Sequence, residues 1–154
     1  MRLTDILTPQ RIKVPLGATT KQGVIQELVD VLSANGDLTD RDRVLQAVLE
    51  RENTRTTGIG GGLAIPHGKC TGVKELVMAV GKPAVPVDLE SIDGRPVNLV
   101  ILLVSPMDRT GPHIQALARI SRIMSIDAFR NKLVAAAGAE RIYQLVKDQD
   151  AEAG

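Results

Sequence analysis

Thr56-Thr57-Gly58-Ile59-Gly60-Gly61-Gly62-Leu63-Ala64-Ile65-Pro66-His67-Gly68-Lys69 is the stretch around which the rest of the chain is organised. Gly58, Gly60, Gly61 and Gly62 fall within five residues. That density permits positive φ and lets backbone amides approach a ligand closely. Leu63-Ala64-Ile65 is short, apolar and β-permissive, which anchors the loop to a sheet. Pro66 fixes φ, lacks an amide proton and drives Ile65 toward extended geometry. The expectation is that His67 leaves the end of a strand on a stiffened backbone, beside free N–H groups. An imidazole so placed suits an anion.

Two nucleotide motifs fail on this stretch. A P-loop needs a glycine five residues before its Gly-Lys pair and a Ser or Thr after it; those positions hold Leu63 and Cys70. A dinucleotide fingerprint begun at Gly58 needs a glycine at 63, and Leu63 again stands there. A phosphate handled here is therefore expected on a side chain.

Arg51-Glu52, the Thr57-Gly58-Ile59-Gly60 loop, Ala64 to Lys69, Ile92-Asp93-Gly94-Arg95-Pro96-Val97 and a late His113 occur in an order and spacing that span nearly the whole chain. Together they resemble the fructose/mannitol-type EIIA domains of the bacterial phosphoenolpyruvate phosphotransferase system, most of all the nitrogen-regulatory EIIA proteins. Gly61 departs from the pattern, since many relatives carry Asn there. The resemblance implies a protein that accepts a phosphoryl group on His67 from phospho-HPr. It also implies a downstream partner, either regulatory protein targets or an EIIB domain.

The bulk numbers fit that expectation. At 154 residues the chain suits one α/β domain, residues 1–154, with a polar tail at 150–154. A net charge of +1 argues against a nucleic-acid surface or a polybasic membrane patch. One Phe, one Tyr and no Trp leave stacking platforms for bases nearly absent and make the core aliphatic. A lone cysteine excludes an internal disulfide and fits a reducing compartment. With no signal peptide and no apolar run near eighteen residues, the expected location is the cytoplasm, without membrane insertion. Cys70 reads more simply as a small residue in a turn than as a catalytic thiol, because no base is placed beside it.

Along the chain, residues 3–7 form a helical turn and Arg11 to Leu16 a strand. Thr19 or Thr20 caps a helix with Val24, Ile25, Leu28, Val31 and Leu32 inward, which Gly36 terminates. Thr39 opens a second helix with Asp42 as capping partner and Val44, Leu45, Val48 and Leu49 as its apolar face. Arg51, three residues after Val48, shares the inward side of its last turn. By pattern it is equally a cation at a helix C-terminus or a guanidinium fork for a phosphoryl group; the resemblance favours the second.

Leu76 to Val80 reads as a strand, Lys82 to Pro96 as a polar connection, and Val97 to Val104 as a strand buried on both faces. Residues 105–111 form a loop before a helix that Pro112 starts. His113, Leu117, Ile120 and Met124 make its inward stripe, while Arg119 and Arg122 read as a solvated face. A histidine on such a stripe is ordinarily a satisfied core residue; the resemblance instead sets His113 beside His67. Two further helices, from Asp127 to Ala137 and from Ala139 to Gln149, close the fold. The architecture expected is a central mixed sheet covered by helices on both faces.

The expected chemistry needs no cofactor. Neutral imidazole attacks phosphorus as a nucleophile, and positioning and charge stabilisation do the remainder. Arg51, His113 and the amides of Gly58, Gly60, Gly61 and Gly62 are the candidate phosphate donors. Two histidines without a carboxylate cluster make a poor metal site, and Lys69 reads as a solvated lysine. Other readings are a sugar-specific EIIA feeding a separate EIIB, a binding module of the same fold that has lost phosphorylation, and a hydrolase using Cys70.

Overall fold

The computed structural model describes residues 1–153. Two short 3₁₀ turns, Leu3–Asp5 and Pro9–Arg11, lead into β1 (Ile12–Leu16). There follow α1 (Lys21–Ala34), α2 (Arg41–Thr54), β2 (Gly58–Gly60), β3 (Leu63–Ala64), β4 (His67–Cys70), β5 (Val77–Pro83) and β6 (Leu99–Pro106). The chain ends with α3 (Thr110–Met124), α4 (Asp127–Ala135) and α5 (Ala139–Glu152). The sheet runs β1-β5-β6-β3-β2, with β4 also paired to β6. It is mixed: β1–β5, β3–β6 and β4–β6 are parallel, β5–β6 and β2–β3 antiparallel.

β6 is buried at every residue, and its alternation explains why no polar residue interrupts Leu99 to Val104. Leu99, Ile101 and Leu103 join the core beneath α3, α4 and α5. Val100, Leu102 and Val104 join the core beneath α1 and α2. Helices thus cover both faces of a mixed sheet, as the apolar strand led us to expect. Among the described residues, no helix is long and apolar enough to cross a membrane.

Thr20 caps α1 by accepting the Gly23 amide at 3.1 Å, and Gly36 ends it at φ 78°, where a side chain would be strained. Val29 is fully buried on this helix and Val31 only half so. Asp40, not Thr39, caps α2, accepting the Arg43 amide at 3.2 Å. The reason is tertiary: the amides of Thr39 and Asp40 both bond Gly72 O, at 2.8 and 3.1 Å, which holds Thr39 outside the helix.

Three polar segments turn inward against expectation. Lys82 lies within β5, buried, and donates to the carbonyls of Val134 (2.7 Å) and Ala136 (2.5 Å) at the end of α4; burial lowers its pKa. Arg119 is not on a solvated face. Its Nε meets Asp150 Oδ1 at 2.6 Å and its NH2 the Asp150 carbonyl at 2.7 Å, both residues being buried. Asp150 therefore does not begin a frayed tail: α5 continues to Glu152, and Asp150 also accepts the Leu3 amide at 2.7 Å. A buried carboxylate needs such partners to offset its lost hydration; Arg119 lies 31 residues back on α3 and Leu3 at the opposite end of the sequence.

Candidate functional site

β3 and β4 are two halves of one line along β6, interrupted at Ile65-Pro66. Leu63 and Ala64 pair with Leu99 and Val100, and His67 to Cys70 with Leu103 to Pro106. Pro66 has no amide to give a ladder, but its carbonyl accepts the Leu103 amide at 3.0 Å. His67 consequently starts a strand rather than leaving one. Cys70, three residues on, is buried in β4 within the core under α1 and α2, not in a turn.

His67 Nδ1 lies 2.8 Å from the carbonyl oxygen of Ile65. A carbonyl only accepts, so Nδ1 carries the ring proton and Nε2 keeps a free lone pair. Burial lowers the His67 pKa, and the Arg51 charge acts the same way; the Ile65 bond and the Glu52 carboxylate act in opposition. The net direction is down, and the ring is neutral at pH 7.

His113 comes to this place from the first turn of α3, with ring centroids 5.6 Å apart and planes inclined by 54°. It is buried, and its Nδ1 lies 2.5 Å from Ser105 Oγ near the end of β6. Burial, followed by the charges of His67 and Lys69, lowers its pKa to about 4. His113 is thus a neutral imidazole at physiological pH.

Arg51 is half-buried in the last turn of α2, its NH1 donating to Arg55 O at 3.0 Å. The inward position beside it belongs to Glu52, 2 % exposed. Two hollows meet at His67 and Arg51. One, of about 440 Å³, also reaches His113, Lys69 and Met107. The other, of about 260 Å³, is floored by Ile65, Ile92 and Leu117. The structure therefore brings together His67, His113 and Arg51.

It does not bring the glycines with them. Gly58, Gly60, Gly61 and Gly62 line neither hollow at His67. They build the β2–β3 hairpin, where the Gly61 amide is already bonded to Asp93 Oδ2 at 2.9 Å and the Gly58 amide to Thr56 Oγ1 at 3.1 Å. Gly62 turns the chain at φ 82°. Where a phosphate cradle was expected, the chain makes a tight hairpin in which the Gly58 and Gly61 amides have partners of their own.

Sequence reasoning missed Ser105. Ser105 read as the first residue of a loop; it pairs in register with Lys69 on β4 and holds His113. A fully buried hydroxyl closing an apolar strand is the signal that marks it. Lys69 is exposed, as expected of a solvated lysine, and its Nζ donates to Thr110 Oγ1 at 3.2 Å.

Comparison with known proteins agrees with this geometry. Residues 5–149 match the family model of the phosphoenolpyruvate-dependent sugar phosphotransferase system, EIIA 2. The chain is 35% identical over 97% of its length to the fructose-specific EIIABC component of Bacillus subtilis, of which it spans only 24%. It is 35% identical over 95% of its length, and 95% of the relative's, to a nitrogen regulatory protein of Bradyrhizobium diazoefficiens. The solved nitrogen regulatory protein IIA-Ntr of Neisseria meningitidis superposes with a TM-score of 0.85 at 29% identity, covering 92% of this chain and 97% of that one. The chain belongs to the EIIA type-2 family of the phosphoenolpyruvate-dependent phosphotransferase system.

Proposed function

We propose that this EIIA accepts a phosphoryl group from phospho-HPr on His67 Nε2 and acts mainly as a regulator, changing its affinity for protein partners with its phosphorylation state. The observation that carries the reading is the 2.8 Å contact of Nδ1 with the Ile65 carbonyl, which leaves Nε2 as the nucleophile. In the transfer, a bond forms from Nε2 to phosphorus as the bond from phosphorus to the donor's nitrogen breaks. The ring gains positive charge, which the Ile65 carbonyl stabilises at Nδ1–H. The Arg51 guanidinium faces the three equatorial oxygens with its planar fork. His113 donates from Nε2–H when Ser105 Oγ–H donates to its Nδ1. No general base is needed, because the attacking nitrogen bears no proton.

The nitrogen-regulatory relatives, matched over nearly their full length, support the regulatory role. The fructose-specific relative supports a second reading, in which the phosphoryl group passes to a separate EIIB. Intact mass after incubation with phosphoenolpyruvate, enzyme I and HPr tests the core of the proposal, with His67→Ala alongside. One acid-labile phosphate, absent in the variant, is expected; no gain with competent donors would leave an unphosphorylated binding module. Adding a fructose-type EIIB then separates the two roles: retention of the phosphate fits a regulator, and rapid loss to EIIB a transport component.

A further inference from the structure

Glu52 is buried at 2 % exposure, and the mechanism above assigns it nothing. It extends the Val44, Val48 row of α2 by four more residues, where an apolar side chain would bury without losing hydration. Instead it collects donors. Both carboxylate oxygens accept the Thr57 amide at 3.1 Å, and Oε2 also accepts the Thr57 hydroxyl at 2.6 Å. Lys21, at the start of α1, sets its ammonium 3.5 Å from Oε1 as counter-charge.

From Thr57 the contacts continue to the nucleophile. Thr57 O accepts the Ile65 amide at 3.1 Å, and Ile65 O accepts His67 Nδ1–H at 2.8 Å. Pro66 restricts Ile65 from the other side, and Leu103 pins the Pro66 carbonyl. The connection is mechanical: at each step a side chain or backbone group fixes the placing of the next. The Glu52 charge also favours the positive ring and opposes Arg51 in doing so.

We propose that Glu52 is a positioning residue for phosphoryl transfer. Through Thr57 and Ile65 it fixes the carbonyl that keeps His67 in its Nδ1–H tautomer and aims Nε2 at the hollow shared with Arg51 and His113. The inference rests on His67 being the phosphoryl acceptor.

The test is ¹⁵N NMR of the histidine rings in the intact chain, paired with the rate of phosphorylation by phospho-HPr, for wild type, Glu52→Gln and Thr57→Val. Glu52→Gln keeps an acceptor and removes the charge; Thr57→Val removes only the hydroxyl contact. Wild type is expected in the Nδ1–H form. Both variants are expected to show a mixture of His67 tautomers with unchanged His113 resonances, and phosphorylation slowed about tenfold. A wild-type ring protonated at Nε2 overturns the inference. So do folded variants with wild-type His67 shifts and rates within about twofold of wild type. If Glu52→Gln does not fold, Thr57→Val decides by the same readouts. A wild type that accepts no phosphate would sink the acceptor role alone; the tautomer readout, which needs no donor, would still test the link from Glu52 to the ring.

Discussion

His67 and His113 face each other with ring centroids 5.6 Å apart, one opening β4 and the other in the first turn of α3. Ser105 holds the second ring from behind. On the proposal that His113 stabilises the transferred group without forming a bond to it, His113→Ala is expected to slow phosphoryl acceptance about 10²-fold, against complete loss in His67→Ala. Rapid-quench kinetics with phospho-HPr measures both. Equal loss in the two variants would make His113 a covalent participant.

Arg51 is half-buried at a helix end, with the Arg55 carbonyl as its one hydrogen-bond partner among the described residues. Arg51→Ala is therefore expected to leave the melting temperature within a few degrees of wild type. Phosphoryl acceptance should fall about 10²-fold. Arg51→Lys should restore little, because an ammonium cannot reproduce the planar fork. Unchanged kinetics in Arg51→Ala would remove the guanidinium from the mechanism.

The depressed pKa of His113 makes stability depend on pH. The unfolded chain takes up a proton near 6.5, whereas the folded ring stays neutral to about 4. The folded state therefore binds fewer protons between those values. Stability is full above pH 6.5 and is lost as pH falls toward 4, by about 3 kcal/mol from this residue. Urea denaturation of wild type and His113→Gln at pH 7.5 and 4.5 should show the smaller pH effect in the variant. An equal loss would assign the acid sensitivity to other groups.

Arg119→Ala leaves the Asp150 carboxylate buried without its guanidinium partner. The expected cost is about 3–5 kcal/mol, and it should appear in thermal melts. Arg122→Ala, on the exposed side of the same helix, should change stability by less than about 0.5 kcal/mol. Near-equal melting temperatures would return Arg119 to the solvated face that the sequence pattern implied.

Gly58 tests what the glycines do. A Cβ there would collide with Ser91 Oγ and meet Ser91 Cα at 2.9 Å, so the backbone must shift. Gly58→Ala is expected to cost about 1–3 kcal/mol of stability while phosphorylation of the folded fraction at 4 °C stays close to wild type. A selective loss of phosphorylation with normal stability would restore the phosphate-cradle reading.

The parts of the site legible from residues alone were those written locally. Pro66-His67-Gly68 displays its restricted backbone and its candidate nucleophile together. Leu99 to Val104, apolar throughout, announces a strand with helices on both sides. His113 and the inward stripe of α3 follow from helical spacing. Glu52, by contrast, was visible only as a motif letter, although its place four residues after Val48 marks an inward position. Nothing near it in the chain shows that Thr57 would satisfy it.

Residue order by itself determines the alternation that makes β6 central, the stop of α1 at Gly36 and the break at Pro66. These depend on period, φ restriction and side-chain chemistry within a few residues. Only the tertiary structure decides that Ser105 holds His113 and that Asp150 closes on Arg119 and Leu3. Each of those depends on which distant donor reaches a buried acceptor first. Burial makes an unpaired polar group costly enough to decide the partner, and sequence spacing carries no trace of that choice.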